Sequence, residues 1–345
     1  MSQANPCTDL GAPRSRALLL SVALAALSAL AVLWGAGVGS TGFESVWRAG
    51  RDPLAWQIVA DIRLPRTLGA WLAGALLGLA GVVAQGLFRN PLADPFLLGS
   101  ASGAVLAVAL ALALWGSPTE AASWVASVGI TGAAFVGALG GVGLTLLLAQ
   151  GVQHTLRLLL AGVVVGYVLG AVKDLVTMAT PEILTAMLGF TLGNTGLIGW
   201  RACALMAAVL LPMAMLAWAL ARALDALSLG EATAHSLGLP LAPMRVALVA
   251  ALALATGTAV AQAGLIGFVG LAAPHLVRAL GRMTHGPLVL LSALMGGLLL
   301  CLADVAARAL VAPQELPVGV LTAVLGGSYL LWMMYRRTRA GGALA

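Results

Sequence analysis

Residues 66–88 read RTLGAWLAGALLGLAGVVAQGLF, and after Arg66 no charged side chain occurs until Arg89. A helix rising about 1.5 Å per residue carries this stretch across a hydrocarbon core of about 30 Å, which takes about 20 apolar residues. The same test applied outward finds further spans at 17–37, 96–115, 121–149, 155–178, 202–221, 243–262, 287–309 and 317–335. A tenth, 264–281, is weaker, interrupted by Gly264, Gly267, Gly270, Pro274 and His275. The apolar piece 183–192 is too short to cross and reads as a re-entrant or half helix. The fold class expected is an all-α polytopic membrane protein of ten transmembrane helices.

Composition agrees. Of 345 residues 61% are hydrophobic and 9% charged, against about 45–50% and about 25% in soluble domains. So few charges cannot cover a water-facing surface, which excludes a soluble enzyme, a nucleic-acid binder and a disordered chain. Cys7, Cys203 and Cys301 form no CxxC pair, and His154, His235, His275 and His285 form no HExxH pair. Neither a disulfide framework nor a metal site is indicated. Lys173 is the only lysine and lies in GAVKDLV, so the chain has no Walker A loop. Any ATP that drives it binds another subunit.

The charges set an orientation. With ten spans and an internal N-terminus, the internal segments hold eleven cations and four acids, and the external ones seven and eight. Arg and Lys concentrate on the cytoplasmic side, so this asymmetry places both termini inside; nine spans would put Arg336, Arg337 and Arg339 outside. The parts are then an N-terminal tail 1–16, one transmembrane domain 17–335 and a C-terminal tail 336–345. Arg14 and Arg16 before an apolar run also fit a secretory signal peptide, but the run to Val38 exceeds the usual core of about 7–15 residues. A retained first span is favoured.

Three local features stand out. The external loop 44–66 carries Arg48, Arg51, Arg63 and Arg66 against the trend, and two readings are open: arginines snorkelling to the headgroups, or a docking site for acidic groups of an external partner. Arg308, at the outer end of span nine, belongs to the same surface. Val83-Ala84-Gln85-Gly86-Leu87, followed by Leu92-Ala93-Asp94-Pro95, is echoed by Val260–Leu265 and Leu271-Ala272-Ala273-Pro274. The copies lie on spans of opposite direction, the mark of an inverted repeat, although so short an Ala/Gly-rich match also arises by chance. The internal loop 224–241 holds a short helical run between Gly230 and Gly238, suited to docking in a partner's groove or to plain connection. The ridge Gly69, Gly74, Gly78, Gly81 allows close helix packing.

These residues resemble a known family. IRLPRTLGAWLAGALLGLAGVVAQGLFRNPLADPFLLGSASGA (62–104), SLGEATAHSLGLP (228–240), GLIGFVGLAAPHLVRALG (264–281) and ELPVGVLTAVLGGSYLLWMM (315–334) are similar to blocks of the permeases of type II ABC importers for vitamin B12, haem and ferric siderophores. The resemblance runs in order from about residue 15 to 337.

It implies a permease subunit, not itself an enzyme, in a homodimer or close heterodimer in the bacterial inner membrane. Partners would be two ATPase subunits, which hold ATP-Mg, and a periplasmic binding protein that delivers cargo. This chain would bind no cofactor and no nucleic acid. Residue by residue, Arg63, Arg66 and Arg308 match positions that dock the binding protein. Asn90 and Leu92 match one cytoplasmic gate loop, and Thr155 and Leu156 fall where the second lies; His154 and Leu156 depart from the Ser/Thr-rich pattern of the B12 permeases. Gly230, Glu231, Ala234, Leu237 and Gly238 match the ATPase-coupling segment. Cargo would be a ferric siderophore or haem, with vitamin B12 second, moved by alternating access. Asp304 and Lys173–Asp174 read as helix-end groups rather than a proton relay. Reversing the charge of Arg63 or Arg308 is expected to weaken docking and leave the permease folded. The rivals are an ion-gradient-driven transporter or channel of ten spans, which would need carboxylates at mid-membrane, and an intramembrane enzyme, which would need clustered His/Asp/Glu or a Ser–His pair.

Overall fold

The computed structural model describes residues 12–39, 42–43, 52–116, 123–151 and 155–341. It is helical throughout apart from a two-stranded hairpin, β1 (Val38–Gly39) against β2 (Gly42–Phe43), which the sequence reading did not anticipate. The long helices are α1 (Ala12–Gly37), α3 (Leu64–Phe88), α4 (Ser100–Trp115), α5 (Ser123–Leu148), α6 (Thr155–Ala179), α8 (Trp200–Ala219), α11 (Leu241–Ala263), α12 (Val269–Leu280), α13 (His285–Ala309) and α14 (Val318–Gly341). A short α2 (Pro53–Ile58) runs through a π-turn (Val59–Arg63) into α3. Among the described residues, seven helices are long and apolar enough to cross a membrane, and Ser100–Trp115, Pro181–Leu192, Val269–Leu280 and Val318–Trp332 are shorter apolar helices. The expected half helix is present as a 3-10 turn, Pro181–Ile183, followed by α7 (Leu184–Leu192).

α3 is the axis of the bundle, buried along almost its whole length. Its small residues explain why. A Cβ on Gly74 would lie 2.3 Å from the Gly296 carbonyl of α13, and one on Gly78 2.2 Å from the Ser292 carbonyl. With no hydrophobic force between helices in lipid, backbone approach of this kind supplies the packing energy. The same device joins α4 to α5, where Gly103 and Gly137 each abut the other's carbonyl. α1, α6 and α8 lie on the outside, and their exposed leucines and valines face lipid or partner chains.

The weak tenth span is a broken one. Residues 264–268 are not helical, and α12 starts only at Val269, after Phe268 in the left-handed region at φ 68°. The freed backbone groups find partners in the half-helix region: Leu265 N–H donates to the Phe190 carbonyl and Asn194 N–H to the Ala263 carbonyl. Irregular backbone at membrane depth persists only when satisfied in this way. Pro274 has no N–H to offer the Gly270 carbonyl, and that carbonyl abuts Gly81 of α3. The two sequence echoes meet nearby, at Gln85 and Leu271. The Gln85 side chain also donates to the Leu271 carbonyl at 3.2 Å and accepts from Arg278.

Candidate functional site

The charged side chains gather at the two ends of the bundle. At the end formed by the C-terminus of α1 and the start of α3, the centre is Asp304, fully buried and one turn before the end of α13. Its carboxylate accepts from Arg308 Nη2 at 2.7 Å, from Arg66 Nε at 3.3 Å and from the Thr195 hydroxyl. Arg308 Nη1 also donates to the carbonyls of Gly35 (3.1 Å) and Val38 (2.8 Å), and Nη2 to the Thr67 hydroxyl (3.1 Å). Arg66 reaches outward to Glu315 at 2.9 Å. Arg63 donates to the Gly37 carbonyl at 3.4 Å, and its guanidinium fills the space beside Gly39.

The three arginines expected to dock a partner all lie in this corner. They do converge, but Arg308 is only 1% exposed and Arg63 only 7%. Their guanidinium groups bind the chain's own carbonyls and carboxylate and so tie α1, α3 and α13 together. Charge reversal at Arg308 would strand Asp304 and unfold this corner, contrary to the sequence-based expectation of a folded variant. Arg66, with 12% of its side chain exposed, and Glu315 are the members that reach the surface. Arg48 and Arg51 lie outside the described residues. Asp304 is a helix-end group, as read, and also the hub of the cluster. Lys173 and Asp174 pair with each other near the end of α6.

At the opposite end, α3 closes with Arg89 in the left-handed conformation at φ 50°. Asn90 N–H bonds the Gln85 carbonyl and Arg89 N–H the Gly86 carbonyl, a Schellman closure. The loop beyond is held by Asn90, whose Oδ1 accepts from Leu92 N–H at 2.9 Å. Leu92 is exposed. Asp94 caps the Pro95–Leu98 turn through Phe96 N–H; burial pushes its carboxyl above the usual range, and that hydrogen bond opposes the shift. Thr155 begins α6 and Leu156 is exposed beside Arg157 on an open apolar groove with Leu148, Leu160 and Val164. The two expected gate segments are joined indirectly, since Gly162 of α6 sits against the Leu97 carbonyl. His154 lies outside the described residues.

The expected coupling loop forms two short helices, α9 (Ala221–Ser228) and α10 (Glu231–Ser236), separated at Gly230 with φ 110° and ended at Gly238 with φ 74°. Ala234 is fully buried with Leu227 and Leu241. It therefore packs α10 onto α9 and the start of α11, whereas Leu229 and Leu237 point outward. Asp225 accepts from both the backbone N–H and the ring Nδ1 of His285 and so fixes α9 to the start of α13. Glu231 bonds Arg245 of α11 at 2.6 Å and approaches Arg89 at 3.7 Å. The reading from sequence missed Thr195, Glu315, Arg89 and Arg245, whose partners lie far along the chain. Among the described residues no three His, Cys, Asp or Glu side chains converge on a metal-sized site.

A bundle built on a glycine-lined central helix, with a buried ion cluster at one end and short helices at the other, is that of a polytopic membrane protein. Its sequence matches the FecCD transport family over residues 19–336. It is 38% identical over 304 residues to the hemin transport system permease protein HmuU of Yersinia pestis, covering 87% of this chain and 90% of that protein. It is 39% identical over 295 residues to the vitamin B12 import system permease protein BtuC of Salmonella paratyphi A, covering 85% and 87%. A solved structure described as an inward-facing conformation of a metal-chelate type ABC transporter superposes with a TM-score of 0.82 at 28% identity, covering 92% of this chain and 99% of that one. The chain belongs to the FecCD transport family.

Proposed function

We propose that this chain is the membrane-spanning subunit of an ATP-driven importer that moves a metal chelate inward, with haem or a ferric siderophore ranked ahead of vitamin B12. The observation that carries the reading is α10. A six-residue helix set between two left-handed glycines, with Ala234 anchoring one side and Leu229 and Leu237 free on the other, suits insertion into a groove of a partner. The lone lysine supports placing the nucleotide on that partner, since a Walker A loop needs its own lysine. Similarity to a hemin and a vitamin B12 permease supports the cargo class. The exposed apolar face of α6 supports pairing with a second permease copy around a shared pathway. The charge asymmetry supports cytoplasmic termini in the inner membrane.

In this reading nucleotide binding closes two ATPase subunits, α10 carries the motion, and the segments at Asn90–Leu92 and Thr155–Leu156 open or close the inner mouth. No bond to the cargo is made or broken. The test is reconstitution: the permease, its ATPase and its binding protein in liposomes, with haem, ferric siderophores and corrinoids offered in turn. ATP-dependent uptake of one class is the expected result. Transport by the permease alone, driven by an ion gradient, would overturn the reading.

Two further outcomes are expected. Arg66→Gln, which removes the charge without setting a carboxylate beside Asp304, should weaken docking of the loaded binding protein about tenfold, chiefly through slower association, with a salt-dependent effect. Unchanged affinity in a surface-binding measurement would return Arg66 to a purely structural role. Replacing Gly230–Leu237 by a flexible linker should leave ATP hydrolysis running without transport; retained uptake would remove α10 from the coupling route.

A further inference from the structure

We propose that the Glu231 carboxylate is the link through which the coupling helix pulls on the Asn90–Leu92 loop, with Arg245 as its anchor and Arg89 as the positioning residue on the loop side. The inference rests on the importer reading above. Three elements that are far apart in sequence meet on this one side chain: the first turn of α10, the start of α11 and the C-terminal cap of α3. The two contacts differ in kind. Arg245 is 5% exposed and holds Glu231 at 2.6 Å, a short charge-assisted bond that fixes the carboxylate to the rigid span. Arg89 is partly exposed and stands at 3.7 Å, near the limit for an ion pair, so this contact can tighten or open at small cost. A strong joint on one side and a soft one on the other is what a link between a moving helix and a gating loop requires.

The backbone at Arg89 points the same way. A side-chain-bearing residue in the left-handed region persists only where its surroundings impose it. Here the Schellman closure imposes it, at the residue directly before Asn90. Any shift of the Arg89 side chain therefore acts on the pivot of the gate loop.

The experiment uses the whole importer in liposomes and reads cargo moved per ATP hydrolysed. Arg89→Gln removes the charge, and Arg89→Lys keeps it. Arg89→Gln should lower the ratio about three- to tenfold, the size expected when one element of a coupled two-state network is cut. Arg89→Lys should restore most of it, and the thermal midpoint of the purified permease should be the same in all three proteins. A wild-type ratio in Arg89→Gln would overturn the proposal. So would an equal loss in both variants, or a loss that follows a lowered midpoint. A wild-type complex that imports nothing would instead sink the importer reading itself, so the two failures are distinguishable.

Discussion

Alanine at Gly81 is expected to destabilise the permease by about 3 kcal/mol or more, the upper range for overpacking a filled interior. Its Cβ would lie 1.7 Å from the Gly270 carbonyl oxygen and 2.5 Å from the carbonyl carbon. Neither atom belongs to a flexible side chain. The Gly270 carbonyl cannot swing away cheaply, because it belongs to the backbone of α12 and Leu271, next to it, is held by Gln85. α12 would have to leave α3 as a unit. Gly140→Ala is the control, since nothing lies within 4 Å of that position and alanine favours a helix by about 1 kcal/mol. Thermal midpoints of the detergent-purified proteins check both: a marked drop for Gly81→Ala and no drop for Gly140→Ala. Equal midpoints would mean that the central contact is looser than the geometry shows.

Asp304→Ala carries the second large effect. It leaves the guanidinium of Arg308 buried without its carboxylate, and Arg66 and Thr195 lose the same acceptor. Removing one partner of a buried pair costs about 3–5 kcal/mol, while replacing the whole pair by apolar groups of similar size is often near neutral. The single variant should therefore lose folded yield and thermal midpoint sharply. The double variant Asp304→Leu/Arg308→Met should recover part of the loss, because neither member of the pair is then left buried without the other. A double variant worse than the single would show that Arg308 stabilises through its bonds to Gly35 and Val38 rather than through Asp304.

These two sites mark the reach of sequence reading. The Gly69–Gly81 ridge was legible as close packing because glycine at helical spacing has few other uses in a span. Which helices it meets was not: Gly74 and Gly78 contact α13, Gly81 contacts α12, and Gly69 meets Ile198 in the loop before α8. The three arginines were legible as a group, yet their exposure was not. Arg66 and Arg308 share Asp304 only because α3 and α13 lie side by side, at a separation of 238 residues between Arg66 and Asp304. The coupling segment shows the same limit, since nothing local marks Ala234 as buried or Arg245 as the anchor of Glu231.

The sequence by itself determined that the chain lives in a bilayer and that the segment 264–281 is interrupted. Those properties follow from transfer free energy summed along one helix and from the glycines Gly264 and Gly267 at the interruption. Only the tertiary structure decided which arginine faces outward, which glycine meets which carbonyl, and that the Glu231 carboxylate brings α10 to the cap of α3. Contacts between distant segments depend on how ten similar apolar surfaces choose their neighbours. Hydrophobicity cannot make that choice in lipid, where every apolar face is equally at ease; close backbone fit and buried ion pairs make it instead.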